Sequence, residues 1–406
     1  MSKNPDILVV GAGAAGLSAG IALAKAGHSV VVAGQVETRQ TARTVALFDA
    51  SLGFYESIGL LGEIEARGAP LEVMRIVDDT GSLFRLPQRD FVANEIGLDA
   101  FGFNIENHDL IGLLVDAAHA APGLTLVEGR LDHFRFDETE ASGRLDNGER
   151  VAARLIIAAD GRRSAVRDAA GIEVTETAYP QTALTALLSH TRPHREISTE
   201  FHTRAGPFTL VPLPARDGDP NRSSLVWMMK PAEAERLAAL PEMDLARAIE
   251  KQAHSMLGKM RLTGPCGLFP MGLMQAKRLT GDRVALVGDA AHSFPPIGAQ
   301  GLNLGLRDVG HLVETTNGKS DPGDSAVLED YSQRRNADIR LRTSGVDLLN
   351  RSLLTQFLPV DFLRGAGLLA LSGFGPLRRA IMREGVAPSG RTPAMMRREA
   401  QWANKL

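Results

Sequence analysis

The chain has 406 residues, of which 44% are hydrophobic, so it is long enough to bury a large core and to form more than one substructure. Its net charge of -3 predicts no general attraction to nucleic acid. The single cysteine, Cys266, excludes a disulfide framework and a multi-cysteine metal site, and this usage is typical of a protein of the reducing cytoplasm.

A strand, a helix and a second strand open the chain. Ile7–Val10 is a short β-rich apolar run, residues 14–26 have a helical composition that ends before Gly27, and residues 29–32 form a second β-rich run. Neither run alternates between apolar and polar residues, which is typical of strands buried on both faces. The spacing, about thirty residues in all, predicts a parallel βαβ crossover.

A glycine-rich motif joins the first strand to the first helix. Residues 11–16 read Gly-Ala-Gly-Ala-Ala-Gly, and a G-x-G-x-x-G run between a strand and a helix is the dinucleotide-binding fingerprint. The first glycine permits a tight turn, the second lets a pyrophosphate approach the backbone, and the third lets the helix pack on the strand. We therefore predict a cofactor-binding loop comprising Gly11, Gly13, Ala14, Ala15 and Gly16. The alternative is a strand–helix turn without a ligand.

The acid that usually holds the ribose of a dinucleotide is not obvious. It normally ends the second strand, but this position reads Ala33-Gly34-Gln35. Glu37 lies at about the usual distance of twenty residues past the fingerprint, although beyond the apparent strand end. Either Glu37 reaches back to the ribose or another group holds it, and the alternative for Glu37 is a solvated loop residue.

The middle of the chain changes character. Residues 182–189, 197–201, 208–213 and 224–229 are short β-like runs separated by turn formers, notably at residues 216–221. This pattern predicts an antiparallel sheet inserted between segments of the dinucleotide-binding domain. Residues 232–259 have a helical pattern, and the chain from residue 327 onward is also predicted to be helical.

Two further strands end in acidic motifs. Residues 155–161 form an apolar run that ends in Asp160-Gly161, and residues 284–289 form another that ends in Gly288-Asp289. A Gly/Pro-rich loop follows at residues 295–303 and leads into a helix from about residue 302. Such a loop supplies backbone donors and a positive dipole end, which would stabilise negative charge on a ligand. The alternative for Asp289 is a helix N-cap carboxylate.

These motifs together resemble the flavoprotein aromatic hydroxylases of the para-hydroxybenzoate-hydroxylase fold, and most closely the ubiquinone-biosynthesis hydroxylases. The resemblance is carried by Arg43 with Ala46-Leu47 and Ser51, by residues 201–213 with Trp227, by residues 269–292, and by residues 296–308. The last stretch nearly reproduces the family signature Pro-x-Gly-Gly-Gln-Gly-x-Asn-x-Gly-x-x-Asp. Departures from the family pattern occur at Gly34, Glu106-Asn107, Pro295 and Ala299.

The resemblance covers most of residues 6–385 and implies an α/β fold. A Rossmann-type FAD-binding domain would comprise residues 1–75, 104–178 and 264–320. An inserted antiparallel-sheet substrate domain would comprise residues 76–103 and 179–263. A helical C-terminal region would follow at residues 321–385, and we expect the polar, proline-punctuated tail at 386–406 to be disordered.

The resemblance also implies roles for individual residues around FAD. Asp160 and Gly161 would lie near the cofactor and take part in nicotinamide handling, Asp289 would bind the ribityl chain, and Arg43 would lie near the flavin. The residues expected to wrap the flavin ring are Pro296, Gly298, Gln300, Gly301, Leu302 and Asn303.

The implied reaction is reduction of FAD by NADH or NADPH, reaction with molecular oxygen to a flavin hydroperoxide, and hydroxylation of the ring of a polyprenylated phenol in ubiquinone biosynthesis. A base that generates the phenolate would help, and His292 is the candidate, with a structural role as the alternative. Candidates for the substrate pocket are His202, Phe208, Leu210, Trp227 and Pro295. Core packing is the alternative for the strand residues among them.

Three other functions remain open at this stage. The chain could hydroxylate a small soluble aromatic, it could be a flavin reductase of isoprenoid double bonds, or it could be a flavin-binding subunit of a biosynthetic complex with little activity alone. An apolar tunnel would favour a prenylated substrate, whereas a basic anchor would favour a small carboxylate.

The C-terminal region suggests contact with a membrane surface. No apolar stretch is long enough to span a bilayer, so we expect a cytoplasmic protein that is peripheral to the inner face of the membrane. Apolar residues flanked by arginines suit an anionic membrane surface, and the alternative is a helix packed on the main domain. The apolar residues are Phe357, Leu358, Phe362, Leu363, Leu368, Leu369 and Phe374, and the arginines are Arg351, Arg364, Arg378, Arg379 and Arg383.

Overall fold

A computed structural model of the chain describes residues 5–37, 39–81, 88–216, 218–295, 300–354, 375–386 and 392–398. In chain order, the strands in these ranges are β1 (Ile7–Val10), β2 (Val30–Gly34), β3 (Thr44–Phe48), β4 (Ala69–Pro70), β5 (Val73–Asp79), β6 (Arg89–Val92), β7 (Gly102–Glu106), β8 (Leu124–Glu128), β9 (Leu131–Phe136), β10 (Ala141–Leu145), β11 (Arg150–Ala153), β12 (Leu155–Ala158), β13 (Val174–His190), β14 (Ile197–Thr203), β15 (Gly206–Leu213), β16 (Arg222–Met229), β17 (Met260–Leu262), β18 (Gly267–Ala276), β19 (Thr280–Gly281), β20 (Val284–Leu286) and β21 (His292–Ser293). The helices are α1 (Ala14–Lys25), α2 (Asp49–Ser57), α3 (Leu61–Arg67), α4 (Asn107–Ala120), α5 (Ala165–Ala169), α6 (Pro231–Ala238), α7 (Glu242–Gln252), α8 (Gln300–Thr316), α9 (Ser325–Leu354) and α10 (Gly375–Val386).

A mainly parallel sheet forms the first layer of the described part of the chain. Its strand order is β19-β20-β12-β1-β2-β8, and β1 pairs in parallel with both β2 and β12. Every residue of β1, β2 and β12 is buried, which explains why these strands lack an alternating pattern. The predicted βαβ unit is confirmed, and the carboxyl ends of β1, β2, β12 and β20 meet at one edge of the sheet.

A nine-stranded sheet forms the second layer. Its order is β21-β18-β13-β16-β15-β14-β5-β6, with β17 added beside β13, and its pairs are antiparallel except for β14 with β5. The inserted antiparallel sheet is therefore confirmed. The sheet also takes in β18, β21, the start of β13 and the start of β5, which lie in segments that we predicted from the sequence to belong to the FAD-binding domain. Pairing between strands that are far apart in sequence decides which strands belong to this sheet, and the local sequence pattern does not reveal such pairing.

The two faces of the nine-stranded sheet have different neighbours. On one face, Leu184, Phe208 and Leu225 pack with Leu237 of α6 and Ile249 of α7. The predicted helical stretch at 232–259 is two helices, because proline at position 241 lacks the N–H that would continue α6.

The opposite face looks toward the parallel-sheet layer. Leu187 and Leu213 pack against Ala42, and the Thr44 hydroxyl donates to Ser224 Oγ at 2.9 Å. Because side chains alternate along a strand, residues in register with Leu187, Leu213 and Ser224 are on the same face. The space between this face and the carboxyl edge of the parallel sheet is where a ligand could contact both layers.

The C-terminal residues pack on the body of the protein. In the tail expected to be disordered, residues 392–398 are in place: Met396 is buried and the Arg398 guanidinium pairs with Asp49 at 3.3 Å. The expectation of disorder is corrected for these residues, since they close over Gly53 of α2. Within the described residues, no helix combines the length and apolar composition that crossing a membrane requires.

Candidate active site

The loop after β1 is built from glycines that touch one another's backbone. Gly11 has φ of 114°, and a Cβ on it would lie 2.3 Å from the Ala159 carbonyl oxygen. A Cβ on Gly16 would lie 1.9 Å from the Gly11 carbonyl oxygen. Neither position therefore tolerates a side chain, and the start of α1 is held directly against the ends of β1 and β12.

Gly13 differs from these two glycines because it faces open space. A Cβ there would meet nothing within 4 Å, and Gly13 is exposed while Ala14 and Ala15 are half-buried. Gly13 caps α1 without a side-chain hydrogen bond, and the first turn of α1 contains no acidic residue. The N–H groups and positive dipole end of α1 are thus available to an anion such as a pyrophosphate.

Asp160 and Gly161 follow β12, beside this loop. The Val166 backbone N–H donates to Asp160 Oδ2 at 3.3 Å, whereas Asp160 Oδ1 has no partner among the described residues. Burial raises the pKa of the Asp160 carboxyl, although hydrogen bonds from Ser164 and from backbone N–H groups oppose the shift. A buried oxygen without a partner is a group that a ligand can satisfy.

Asp289 follows the strand β20 and lies in a recess. Its side chain is exposed, yet partial loss of hydration next to the surrounding protein raises the pKa of its carboxyl. The charges of His292, Arg43 and Arg162 oppose this shift and do not cancel it. No hydrogen bond from the described residues reaches this carboxylate, so it is available to the hydroxyl groups of a ligand. The Arg43 guanidinium lies at the same opening, 5.8 Å from the centre of the Phe269 ring.

The flavin-loop residues fall into two groups. Pro296 and Gly298 lie outside the described residues, whereas Gln300, Gly301, Leu302 and Asn303 form the first turn of α8. Asn303 holds neighbouring chain: its Oδ1 accepts hydrogen bonds from the Phe48 N–H at 3.0 Å and the Ser51 hydroxyl at 2.7 Å, and its Nδ2 donates to the Ala46 carbonyl at 2.8 Å. Asn303 therefore holds the β3–α2 corner in position, and the Ser51 hydroxyl is its side-chain partner there.

His292 is not placed to act on a substrate. It is fully buried, and its Nε2 hydrogen-bonds Asp308 Oδ2 at 2.7 Å. Asp308 is also fully buried and accepts from Arg335 Nε at 2.7 Å and from the Gly288 N–H at 3.0 Å. The catalytic candidate is corrected: pairing of β21 with β18 buries the imidazole, which fixes the strand end that leads into the flavin loop.

Three of the predicted pocket residues lie on the helix-covered face of the nine-stranded sheet. The Phe208 ring makes edge contacts with Phe201 at 5.6 Å and Trp227 at 5.2 Å, and Leu210 belongs to the same cluster. The assignment of Phe208, Leu210 and Trp227 to a pocket is corrected, because strand alternation turns them toward α6 and α7. Pro295 is buried directly before the residues that are not described.

The face toward the parallel-sheet layer contains a different set of residues. Val226, Met228 and Ala183 cluster with Met271, and His202 is on this face with its Nε2 hydrogen-bonded to Glu200 Oε1 at 2.8 Å. At the far end of the same face, partly buried hydrophobic residues pack against Phe48 and against Met382 of α10. These residues are Met74 and Phe91.

Glu37 is exposed, and its Oε1 accepts a hydrogen bond from the Arg39 backbone N–H at 3.1 Å. It lies beyond the end of β2, in a loop. The structure thus places Glu37 in a local turn past the strand end.

The comparison with known proteins identifies the family. A family model described as an FAD binding domain matches residues 4–342. The chain belongs to this FAD-binding family. The ubiquinone hydroxylase UbiL of Rhodospirillum rubrum is 34% identical over 94% of this chain and 89% of its own length. The 3-demethoxyubiquinol 3-hydroxylase of Escherichia coli is 30% identical over 94% of this chain and 99% of its own. The chain is therefore a flavoprotein monooxygenase of the ubiquinone-hydroxylase family.

Solved structures agree on the fold. The p-nitrophenol 4-monooxygenase PnpA of Pseudomonas putida superimposes with a TM-score of 0.77 at 20% identity and covers 96% of this chain and 100% of its own. A variant of HpxO from Klebsiella pneumoniae, in complex with FAD, superimposes with a TM-score of 0.74 at 19% identity over 95% of this chain and 99% of its own. Both likenesses confirm the predicted architecture.

The described residues fit FAD. The open side of Gly13 and the uncapped end of α1 suit a pyrophosphate, and the Asp289 carboxylate suits the hydroxyls of a ribityl chain. The unpartnered Asp160 Oδ1 adds an acceptor between them. An extended dinucleotide across the carboxyl edge of a parallel sheet would meet all of these groups.

Proposed function

We propose that this enzyme hydroxylates the aromatic ring of a polyprenylated phenol in ubiquinone biosynthesis, with NADH or NADPH as reductant and molecular oxygen as co-substrate. The observation that supports this substrate class is the presence of two apolar clusters on the face of the nine-stranded sheet that looks toward the parallel sheet. The first contains Met271 and Met228, and the second contains Met74 and Phe91 beside α10. Two apolar surfaces of this kind suit a lipid-bearing ring better than a small charged aromatic.

The protein residues contribute binding, orientation and exclusion of water. FAD, when bound, supplies the redox chemistry by accepting a hydride and activating oxygen. The end of α1 and the carboxylate of Asp289 would hold the cofactor, and Asn303 holds the β3–α2 corner against the first turn of α8. The methionine-rich sheet face would bind the substrate and keep water from the ring, which suppresses unproductive loss of activated oxygen.

The proposal is tested by turnover with two classes of phenol. The purified holoenzyme is reduced anaerobically with NADH or NADPH, mixed with oxygen and either a prenylated phenol or a small soluble phenol, and the products are analysed by mass spectrometry. Addition of one oxygen atom to the prenylated ring supports the proposal. Turnover of the small phenol alone, saturation of a double bond without oxygen uptake, or no turnover of either compound each contradicts it and points to one of the three alternatives.

A charge in the first apolar cluster should block the prenylated substrate. Val226→Asp is expected to lower kcat/KM for the prenylated phenol by at least about tenfold, because a carboxylate against a lipid tail loses its hydration. FAD affinity should stay unchanged, because residue 226 lies on the nine-stranded sheet and not among the loops that would hold FAD. The matched control is Val226→Ile, which preserves apolar character. Equal kinetics for the two variants would place the substrate elsewhere.

We further propose that α10 brings the enzyme to a membrane surface, where a prenylated substrate resides. Met382 of α10 is buried against Phe48, whereas Leu377 and Ile381 on its outer side are 43% and 50% exposed. These two residues are one helical turn apart and therefore share a face. The buried face of α10 is next to Met74 and Phe91, so the exposed face lies directly outside the second apolar cluster. The residues between 357 and 374 that we expected to touch a membrane lie outside the described residues. Arg351 belongs to α9, but its side chain is not described.

Charging this outer face should weaken binding to vesicles. The double variant Leu377→Glu with Ile381→Glu is expected to lower sedimentation with phosphatidylglycerol vesicles several-fold, because it removes apolar contact and repels anionic lipid. The control is Met243→Glu on α7, at a residue that is 70% exposed and distant in sequence. If both variants cosediment like the original protein, α10 is not the contact.

A further inference from the structure

The second strand of the parallel sheet ends without a ribose-binding acid, and the structure explains why. A Cβ on Gly34 would lie 2.5 Å from the Ala12 nitrogen and 3.0 Å from the Gly11 carbonyl carbon. The end of β2 is thus pressed against the glycine-rich loop, and the Gly11 N–H donates to the Ala33 carbonyl at 2.8 Å. A carboxylate at position 34 would require the loop to move, so the cofactor's adenosine ribose needs another acceptor.

The neighbouring strand offers a carboxylate at the same level. β2 and β8 are parallel, and Gly34 is in register with Glu128, the last residue of β8. Registered residues of adjacent strands present side chains to the same face, with a strand spacing of about 4.8 Å. An extended glutamate side chain covers roughly this spacing, so Glu128 can reach over the end of β2 toward the position that the missing side chain would have occupied.

The Glu128 carboxylate is also available. Its side chain is exposed, and the described part of the chain provides no hydrogen bond or ion pair to it. The competing acid, Glu37, already accepts the Arg39 N–H and lies past the strand end. The nearby Asp146 carboxylate is engaged with the Arg130 N–H at 3.2 Å.

We infer that Glu128 accepts hydrogen bonds from the adenosine ribose hydroxyls of FAD, in place of the acid that normally ends the second strand. The ribose contact thereby comes from β8, the edge strand next to β2, while the pyrophosphate position over the start of α1 stays unchanged. This inference rests on FAD binding by the family and does not depend on which phenol is hydroxylated. It can therefore fail or succeed independently of the proposed substrate.

The test measures cofactor affinity without turnover. The apoprotein is titrated with FAD, and the dissociation constant is read from flavin fluorescence. Glu128→Gln is expected to raise the dissociation constant about tenfold, which corresponds to roughly 1.4 kcal/mol, because a charged acceptor is replaced by a neutral amide. The matched control Glu37→Gln should leave the dissociation constant unchanged. Thermal unfolding of both apoproteins should match that of the original protein, since both side chains are exposed.

Two ligand variants locate the contact. FMN lacks the adenosine, so its dissociation constant should be the same for Glu128→Gln and the original protein. FAD whose adenosine ribose is 2′-deoxy should bind the original protein more weakly, and Glu128→Gln should add little to that loss. The inference is overturned if Glu128→Gln binds FAD normally, if Glu37→Gln causes the loss instead, or if FMN and FAD lose affinity equally.

Discussion

Replacing Arg335 with methionine is expected to reduce the free energy of unfolding by roughly 3–5 kcal/mol, because removing one partner of a buried ion pair leaves the other charge uncompensated. Arg335 is fully buried. Its Nε donates to Asp308 at 2.7 Å and its Nη1 to Asp338 at 2.6 Å. The variant would leave the Asp308 carboxylate with the His292 imidazole as its only remaining side-chain partner among the described residues. Urea unfolding followed by circular dichroism measures the effect.

An exposed arginine provides the control for this prediction. Arg236 forms an ion pair with Glu233 at 2.7 Å on the surface of α6, where both side chains are largely exposed. Solvent screens such a pair, so Arg236→Met should leave the unfolding midpoint nearly unchanged. Equal midpoints for the Arg335 and Arg236 variants would show that the buried network contributes nothing specific to stability.

The stability of the original protein and that of Arg335→Met should depend on pH in different ways. Although burial raises the pKa of Asp308, the charges of His292 and Arg335 outweigh it and hold the pKa below its usual value. A carboxyl with a lowered folded-state pKa stabilises the protein above the unfolded-state pKa of about 3.9 and loses this contribution as the pH falls through the folded-state value. The stability gap between the original protein and Arg335→Met should therefore narrow as the medium is acidified below about pH 4.

This network links the helical C-terminal region to the cofactor site. Asp308 is on α8, two turns beyond the residues that begin the helix at the flavin loop, and it also accepts the N–H of Gly288, next to Asp289. Arg335 comes from α9. The position of the Asp289 carboxylate therefore depends on a helix that follows the FAD-binding strands in sequence. A loss of Arg335 should weaken FAD binding as well as stability, although Arg335 is not expected to touch FAD.

Some of the site could be predicted from local sequence, and the reason is steric. The roles of Gly11 and Gly16 follow from contacts between residues that are near in sequence or directly after a strand, and the fingerprint encodes them. The ends of β12 and β20 could be predicted for the same reason. Each is a buried apolar run that terminates in an acidic residue, and parallel pairing brings these ends to one edge.

The pocket face could not be predicted, because both faces of the nine-stranded sheet contain apolar clusters. Phe208 and Val226 are equally consistent with a substrate pocket by composition, and they differ only in which layer they contact. α6 and α7 cover the face with Phe208, and this packing is a feature of the tertiary structure that the strand sequence does not reveal. Glu128 was missed for a related reason, since its relation to Gly34 appears only in the register between β2 and β8. The His292–Asp308 pair likewise depends on how α8 returns over β21.

Replacing Gly13 with valine is expected to raise the dissociation constant for FAD at least about 100-fold, or roughly 2.7 kcal/mol, while the protein still folds. Gly13 has φ of -82° and ψ of -179°, an extended conformation that valine adopts without strain. A Cβ there meets nothing within 4 Å, so the added side chain fills only the space in which a pyrophosphate would approach the end of α1. Flavin fluorescence titration measures the affinity, and thermal unfolding of the apoprotein measures the fold.

Two other glycines make this result interpretable. Gly112 on α4 is also exposed with nothing within 4 Å of a Cβ, and Gly112→Val should raise stability slightly, because valine has a higher helix propensity than glycine, and leave FAD affinity unchanged. Gly11→Ala should damage both properties, because its Cβ would meet the Ala159 carbonyl oxygen at 2.3 Å in a positive-φ conformation. The three variants together distinguish a glycine that leaves space for a ligand, Gly13, from one that leaves space for neighbouring backbone, Gly11. Normal FAD affinity in Gly13→Val would show that the cofactor does not lie over the N-terminus of α1, and the assignment of this edge of the sheet as the FAD site would be lost.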